Sequence, residues 1–415
     1  MFAPSWGGGG TGAEAVAALY THLSAQLRAR ESHPRHRAPT LLMAPDAPAY
    51  ADALTRLREA DSDAEVIIAT SGSTDGRGHL VGLTLDALVA SASATLARLG
   101  GPCQWVTSLP IHGVAGFQVV LRSALAVLPP VVYAPASGFD AALFEAAVDA
   151  LTPGRAALSL VPTQLHAALA AGTEALSRFD AVLVGGAALP PDLAARARAA
   201  GVRVVRTYGS TETAGGCVYD GVPLDGVSVR IHVDGDAAPP AKAPPEAGFA
   251  GAEPAQVGRV LLAGPTLALG YLDAPADAQP FVWQGGRRWL VTPDLGILRE
   301  GRLEVSGRAD DVLLSGGTNV SPLVVEAALS TLGGEWLVVG LPDPHWGQRV
   351  TALTTDPDVH LDAARAATAS LRPAERPRAL LHLDALPLRP TGKPDRRAAA
   401  ALAQRLAEEG RAETR

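Results

Sequence analysis

With 415 residues, 47% of them hydrophobic and 19% charged, the chain is globular and too long for one small core, so two or more domains are expected. A net charge of −7 and a pI near 5.8 argue against nucleic acid or an anionic membrane surface as the principal partner. No apolar run approaches the ~18 residues that span a bilayer, no basic leader opens the chain, and Cys103 and Cys217 stand in no metal or CxxC spacing, so a cytoplasmic protein with reduced thiols is expected.

Residues 1–12 are Gly-rich and read as a mobile start. Short apolar runs then alternate with longer amphipathic segments. Residues 13–30 read as a helix, 66–69 as a buried strand, 85–99 as a helix with Asp86 near its start, and 105–109 as a strand. A helix over 116–128, a strand over 131–133 and a helix over 140–151 follow. Strands over 156–160, 181–184 and 202–205 then interleave with helices over 163–171 and 192–200. This alternation predicts parallel sheets flanked by helices. Next comes the stretch from Thr207 to Gly226, with hydroxyls, carboxylates and five glycines. It reads as a polar loop at the C-terminal end of a strand, the place where ligands bind in α/β chains.

Beyond Asp225 the texture changes. Strand-like runs at 227–233, 256–262, 289–291, 297–299 and 302–305 predict a smaller antiparallel or barrel-like subdomain, with a hairpin turning at Glu300-Gly301 and a surface loop over 237–255. A second reset falls near Arg308–Asp310. Ser321-Pro322 opens a helix over 322–332; strands at 336–341, 349–353 and 379–383 and helices at 362–371 and 395–409 complete a compact α+β unit. The expected division is 1–308 and 309–415.

Chemistry concentrates in a few runs. Thr70-Ser71-Gly72-Ser73-Thr74 follows directly on a strand, and its glycine and four hydroxyls suit a phosphate cradle without a Walker lysine. Tyr208-Gly209-Ser210-Thr211-Glu212, Thr292-Pro-Asp294-Leu-Gly296, the segment from Gly307 to Pro322 containing Arg308 and Asp310, and Pro387-Leu-Arg-Pro-Thr-Gly-Lys393 follow in that order. Singly, Glu212 reads as a solvated acid, Asp294 as a turn residue and Lys393 as a surface charge.

Together and in order, these runs resemble the adenylate-forming superfamily of acyl-CoA synthetases, peptide-synthetase adenylation domains and luciferases, from about Val66 to Arg397. The resemblance implies an α/β fold: a large N-terminal domain of parallel sheets plus a barrel-like subdomain, and a small mobile α+β C-terminal domain. It implies ATP, Mg²⁺ and coenzyme A as the small molecules handled with a carboxylic acid. Thr70–Thr74 would hold phosphates; Thr207, Tyr208, Gly209, Thr211, Gly185 and Gly186 the adenosine; Asp294 and Arg308 the ribose and phosphate; and Glu212 the Mg²⁺. Lys393 would bridge the reacting carboxylate and the nucleotide. His112, Gln164 and Ser210 would shape the acyl pocket. Asp310 would be the hinge of a domain rotation that withdraws Lys393 and brings Gly316 and Gly317 to a pantetheine tunnel. One departure stands out: the superfamily's TSG[ST]TGxPKG gives way after Thr74 to Asp75, and no lysine follows before Thr84, leaving Arg77 or His79 as substitutes.

Within the superfamily, the run from Gly215 to Gly226 and the brief N-terminal region are similar to the short, actinobacterial-type 2-succinylbenzoate–CoA ligases of menaquinone biosynthesis. That resemblance implies acyl-AMP formation on the aliphatic carboxylate, transfer to coenzyme A, and a polar or cationic pocket for the free aromatic carboxylate, with His112, Arg122 and Gln164 as candidates. A homodimer is the arrangement suggested by analogy. Another acyl- or aryl-CoA ligase, a carrier-loading adenylation enzyme, and a non-catalytic binding relative stay open as alternatives.

Overall fold

The structure, a computed structural model, describes residues 5–6, 12–37, 39–57, 63–70, 78–136, 138–233, 248–249, 256–389 and 393–414. The expected surface loop at 237–255 lies outside these apart from the short strand Gly248–Phe249, and the expected mobile start lies outside them apart from Ser5–Trp6 and Gly12.

Four sheets organise the described residues. In the first, Ser5–Trp6, Leu41–Met43 and Val66–Ala69 run parallel, and Leu80–Leu83 and Gly270–Tyr271 extend them antiparallel. In the second, Val131–Val132, Gln104–Thr107, Ala156–Leu160, Ala181–Val184 and Val204–Ser210 are parallel, and Gly215–Tyr219 and Val222–Pro223 turn back antiparallel. Short β-branched and apolar runs make these strands because both faces are covered, which suits near-continuous hydrophobic sequence.

The helices Leu85–Arg98 and Val114–Ala126 pack against the first sheet with Ala13–Ser32. Val114–Ala126 is buried over nine consecutive residues from Gly116 to Ala124, as a helix apolar all round must be. Three of those residues are polar: Gln118, Arg122 and Ser123. Ala141–Asp149, Pro162–Ala170 and Pro191–Ala199 supply the core on the other side of the second sheet.

The third sheet joins Ser228–His232, Gly258–Ala263, Arg287–Arg299, Phe281–Gln284 and Arg302–Arg308, and its apolar side chains share one core with Leu183, Cys217 and Val218 of the second. The fourth is built from Leu313–Ser315, Thr318–Val320, Trp336–Asp343, Gly347–Thr354, Ala379–His382 and Glu413–Thr414. Pro322–Leu329 and Leu361–Ala367 serve one core beside it, and Arg396–Glu408 another.

Three differences from the sequence reading matter to function. The 207–226 stretch is not a loop. It is a hairpin in which Val204–Ser210 pairs with Gly215–Tyr219 around a short 3₁₀ turn, Thr211–Thr213, with a bulge at Cys217. The ladder needs the glycines: a Cβ on Gly209 would lie 2.2 Å from the Gly215 carbonyl oxygen. The runs at 289–291 and 297–299 belong to one strand, Arg287–Arg299. Thr292, Pro293 and Asp294 bulge from it opposite Val260, so a proline without an N–H sits where no ladder bond is required. Finally, Leu41–Met43, the helix Ala47–Arg56 capped by Asp46, Leu80–Leu83 and Phe281–Gln284 carry too little periodicity to be read from sequence. The hairpin turn at Glu300-Gly301 does form, with both residues at positive φ.

Candidate active site

One cleft of about 1250 Å³ is lined by residues from the second, third and fourth sheets and by Thr70 and Gly78-His79, which flank the run expected to hold phosphates. Ser71, Gly72, Ser73, Thr74 and Arg77 lie outside the described residues. The neck itself is closed by two bonds: the Thr70 amide donates to the His79 carbonyl and the His79 amide to Thr70 Oγ1, both at 2.8 Å.

Opposite lies the hairpin. Gly185 accepts the strand Val204–Ser210 at close range, since a Cβ there would fall 2.2 Å from Thr207 Oγ1. Thr207, Tyr208, Gly209, Ser210 and Thr211 all line the cleft. The Tyr208 hydroxyl donates to Asp294 Oδ2 at 2.7 Å, and Asp294 faces Arg308 across the ladder, with its Oδ1 4.0 Å from Arg308 Nη1. Burial pushes the Asp294 carboxyl up, against the Tyr208 hydrogen bond and the nearby Arg308. Burial and that same carboxylate raise the Tyr208 phenol. Arg308 also grips Asp310 through Nε at 2.9 Å and Nη2 at 2.6 Å; burial opposes ionisation of Asp310, but the guanidinium holds its carboxyl below the usual range.

Glu212 lies in the 3₁₀ turn that joins the hairpin's two strands, half-buried in the cleft. Tyr271, from the edge of the first sheet, donates its hydroxyl to Glu212 Oε1 at 2.7 Å. A charge-assisted bond of this kind contributes roughly 1.5–3 kcal/mol and fixes the carboxylate. Among the described residues no group of three His, Cys, Asp or Glu side chains could hold a metal. A single carboxylate fits Mg²⁺ shared with phosphate oxygens, since that ion keeps several waters and takes one or two protein carboxylates.

Lys393 arrives from the far end of the chain. Hydrogen bonds from the Arg389 amide to the Lys393 carbonyl and from the Asp395 amide to the Pro387 carbonyl, both 2.8 Å, fold its segment back on itself. Its side chain crosses Gly186, where φ is +80° and a Cβ would lie 2.9 Å from Lys393 Cε. Burial, then Arg389 and Arg308, draw the Lys393 pKa down, while Glu212 and Asp294 pull it back up. Lys393, Glu212, Asp294, Arg308 and Gly186 are thereby brought together.

Of the residues expected at the acyl pocket, His112 and Ser210 line the cleft, and burial lowers the His112 pKa. Gln164 does not line it: its amide accepts from the Val161 amide and donates to the Ser108 carbonyl, both at 3.1 Å, and it faces a separate cavity of about 210 Å³. Arg122 reaches the cleft from the buried helix. Its Nε donates to the Gln118 carbonyl at 2.9 Å, its guanidinium lies 4.1 Å from the Trp105 ring centroid, and its Nη1 is buried without a partner among the described residues. Burial pulls the Arg122 pKa down. Gly316 and Gly317 do not line the cleft; they form the turn between Leu313–Ser315 and Thr318–Val320, with Gly316 backed by Trp346.

Sequence reasoning missed Tyr271 and Arg389. Arg389 lies inside the marked run from Pro387 to Lys393, of which only the lysine was singled out, and Tyr271 meets Glu212 only because Gly270–Tyr271 adds to the edge of the first sheet. Cys103 and Cys217 are free and buried, with thiols pushed up to about 11 and about 12 by desolvation, so neither is a nucleophile here.

Comparison with known proteins bears on this constellation. The model of the AMP-binding enzyme family matches residues 13–272. The chain belongs to the AMP-binding enzyme family. A probable 2-succinylbenzoate–CoA ligase of Mycobacterium tuberculosis is 42% identical to this AMP-binding enzyme over 361 residues, 84% of this chain and 86% of that protein. A sulfoacetate–CoA ligase of Cupriavidus necator is 31% identical over 393 residues, 86% of this chain and 72% of that one. Among solved structures, the o-succinylbenzoate CoA synthetase MenE of Bacillus subtilis in complex with the acyl-adenylate intermediate OSB-AMP superposes with a TM-score of 0.68 at 24% identity, covering 91% of this chain and 80% of that one. That likeness shows that the two chains share a fold. No helix among the described residues is long and apolar enough to cross a membrane.

Proposed function

We propose that this AMP-binding enzyme activates a carboxylic acid, 2-succinylbenzoate, with MgATP to acyl-AMP and then transfers the acyl group to coenzyme A, as a step of menaquinone biosynthesis. The observation that carries the reading is Lys393 lying across Gly186, within electrostatic range of Glu212, Asp294 and Arg308. A carboxylate attacking the α-phosphorus brings two anions together, and a compact ammonium offsets that charge as it develops. Asp294, backed by the Tyr208 hydroxyl, has acceptor capacity for ribose hydroxyls, and Glu212, oriented by Tyr271, offers the hard oxygen that Mg²⁺ prefers.

The choice of acid rests on the 42% identical relative and on Arg122. A buried guanidinium without a carboxylate partner is costly, since an uncompensated buried charge destabilises by about 3–5 kcal/mol. A substrate carrying a second carboxylate relieves that cost on binding. A different dianionic acid is the second reading, favoured by the relative named sulfoacetate–CoA ligase, because the same cation would meet its sulfonate.

Pyrophosphate release and CoA-thioester mass are measured with 2-succinylbenzoate, sulfoacetate and 4-oxo-4-phenylbutanoate, which lacks the ring carboxylate. Turnover is expected with 2-succinylbenzoate far above the others; absence of pyrophosphate release with every acid would leave a non-catalytic binder. Arg122→Met is expected to raise KM for 2-succinylbenzoate about 10²-fold while leaving the ring-unsubstituted acid unchanged. Equal losses on both acids would make Arg122 structural.

A further inference from the structure

The sequence leaves Arg77 and His79 as the candidates to replace the missing loop lysine, and of the two only His79 is among the described residues. We propose that its imidazole Nε2 binds the β- and γ-phosphates of the nucleotide, taking the place of the lysine that the chain's phosphate loop lacks. The proposal rests on the ATP-dependent reading of the cleft.

From Thr70 to Thr84 the only basic side chains are Arg77 and His79. His79 stands at the neck of the loop, tied to Thr70 through both backbone groups, and lines the cleft beside Thr70, Glu212 and Tyr271. Its ring is held from two directions. Tyr271 stacks on it with centroids 4.0 Å apart and planes 13° from parallel, and Asp273 Oδ1 lies 3.4 Å from Nδ1. Asp273 is itself fixed: it is 7% exposed, receives the Leu80 amide at 3.1 Å, and pairs with Arg56, which also donates to the Gly78 carbonyl.

A carboxylate on Nδ1 leaves Nε2 on the opposite edge of the ring, where it makes no hydrogen bond to any described residue. The ring is 46% exposed, so an anion can reach that edge without displacing core. The groups facing it are acidic Asp273, basic Arg56 behind that carboxylate, the Tyr271 phenol beneath, and Glu212 beyond the phenol. The edge facing Asp273 has an anionic acceptor, and the opposite edge is the one that a phosphate oxygen would meet. The Tyr271 ring is thus shared: one face positions His79, and its hydroxyl positions Glu212. The two groups that would meet the polyphosphate and its metal are held by one side chain.

Binding of ATP, inorganic pyrophosphate and AMP to the full chain is measured by calorimetry, together with thioester formation from supplied acyl-adenylate. His79→Ala is expected to weaken ATP and pyrophosphate about 10- to 100-fold, leave AMP unchanged, and leave the supplied-adenylate step intact. His79→Lys is expected to restore most of the loss. Unchanged ATP and pyrophosphate affinity in His79→Ala overturns the proposal, and so does a parallel loss of AMP, which would mark a structural role. A wild-type chain that binds no ATP would instead overturn the activation reading.

Discussion

At the residue scale, the consequential feature is an ammonium forced into company it would not choose. Lys393 is one of only two lysines in the chain, and burial together with Arg389 and Arg308 works against its charge. In the role proposed for Lys393 the charged form is needed for adenylation, and because burial lowers its pKa, activity is expected to fall as pH rises through that lowered value. The alkaline limb of the pyrophosphate-exchange profile is therefore expected below the ordinary lysine range, and Lys393→Arg should shift it upward. Lys393→Ala should cost about 10²–10³ in adenylation yet still convert supplied acyl-AMP and coenzyme A to thioester. Equal loss in both half-reactions would remove Lys393 from the assigned role. Lys393, Glu212, Asp294 and Arg308 were legible from motif order, because each is a charge that folding alone does not require where it stands. Tyr271 and the tie on Asp294 from Tyr208 were not, because they depend on contacts between segments far apart in the chain.

At the element scale, the hairpin from Val204 to Tyr219 shows why a polar, Gly-rich run is read as a loop. Strand periodicity is carried by alternating apolar side chains, and here consecutive glycines and hydroxyls line the cleft instead. Gly209 and Gly215 let two backbones close on each other, and the bulge at Cys217 resets the register so that Cys217, Val218 and Tyr219 are all buried. The turn after Val184 is just as tightly specified. Gly186 combines φ +80° with the Lys393 stem, so Gly186→Ala adds backbone strain of about 1–2 kcal/mol and displaces the lysine. Pyrophosphate exchange should drop at least tenfold, roughly what a displaced catalytic group costs, while thioester formation from supplied acyl-AMP persists. A melting shift without that asymmetry between the half-reactions would leave strain as the whole effect.

At the scale of the whole molecule, the cleft exists because the fourth sheet's unit leans over the second and third. Arg396, at the start of the helix Arg396–Glu408, pairs with Glu326 and lies 3.5 Å from Asp311, so the segment bearing Lys393 is anchored beside the expected hinge. Gly316 and Gly317 sit away from the cleft in this arrangement, and a second arrangement is required if they are to meet coenzyme A. We propose Asp310 as the pivot. Asp310→Pro is expected to release one equivalent of pyrophosphate in a burst and then stall before thioester formation; normal steady-state thioester turnover would argue against it.

The amino-acid sequence by itself determined the fold class, the order of most elements and the charged groups that chemistry needs, because hydrophobic period and motif order are local or ordinal properties. Only the tertiary structure decided which of these groups meet: Lys393 with Gly186, Tyr208 with Asp294, Tyr271 with Glu212 and His79. It also decided that Gln164 spends both ends of its amide on backbone, while Arg122, expected only as one candidate of three, is left with a buried donor turned to no carboxylate of its own. Register across sheet edges and the lean of one unit on another are properties of packing between distant segments, and no local pattern in the chain encodes them.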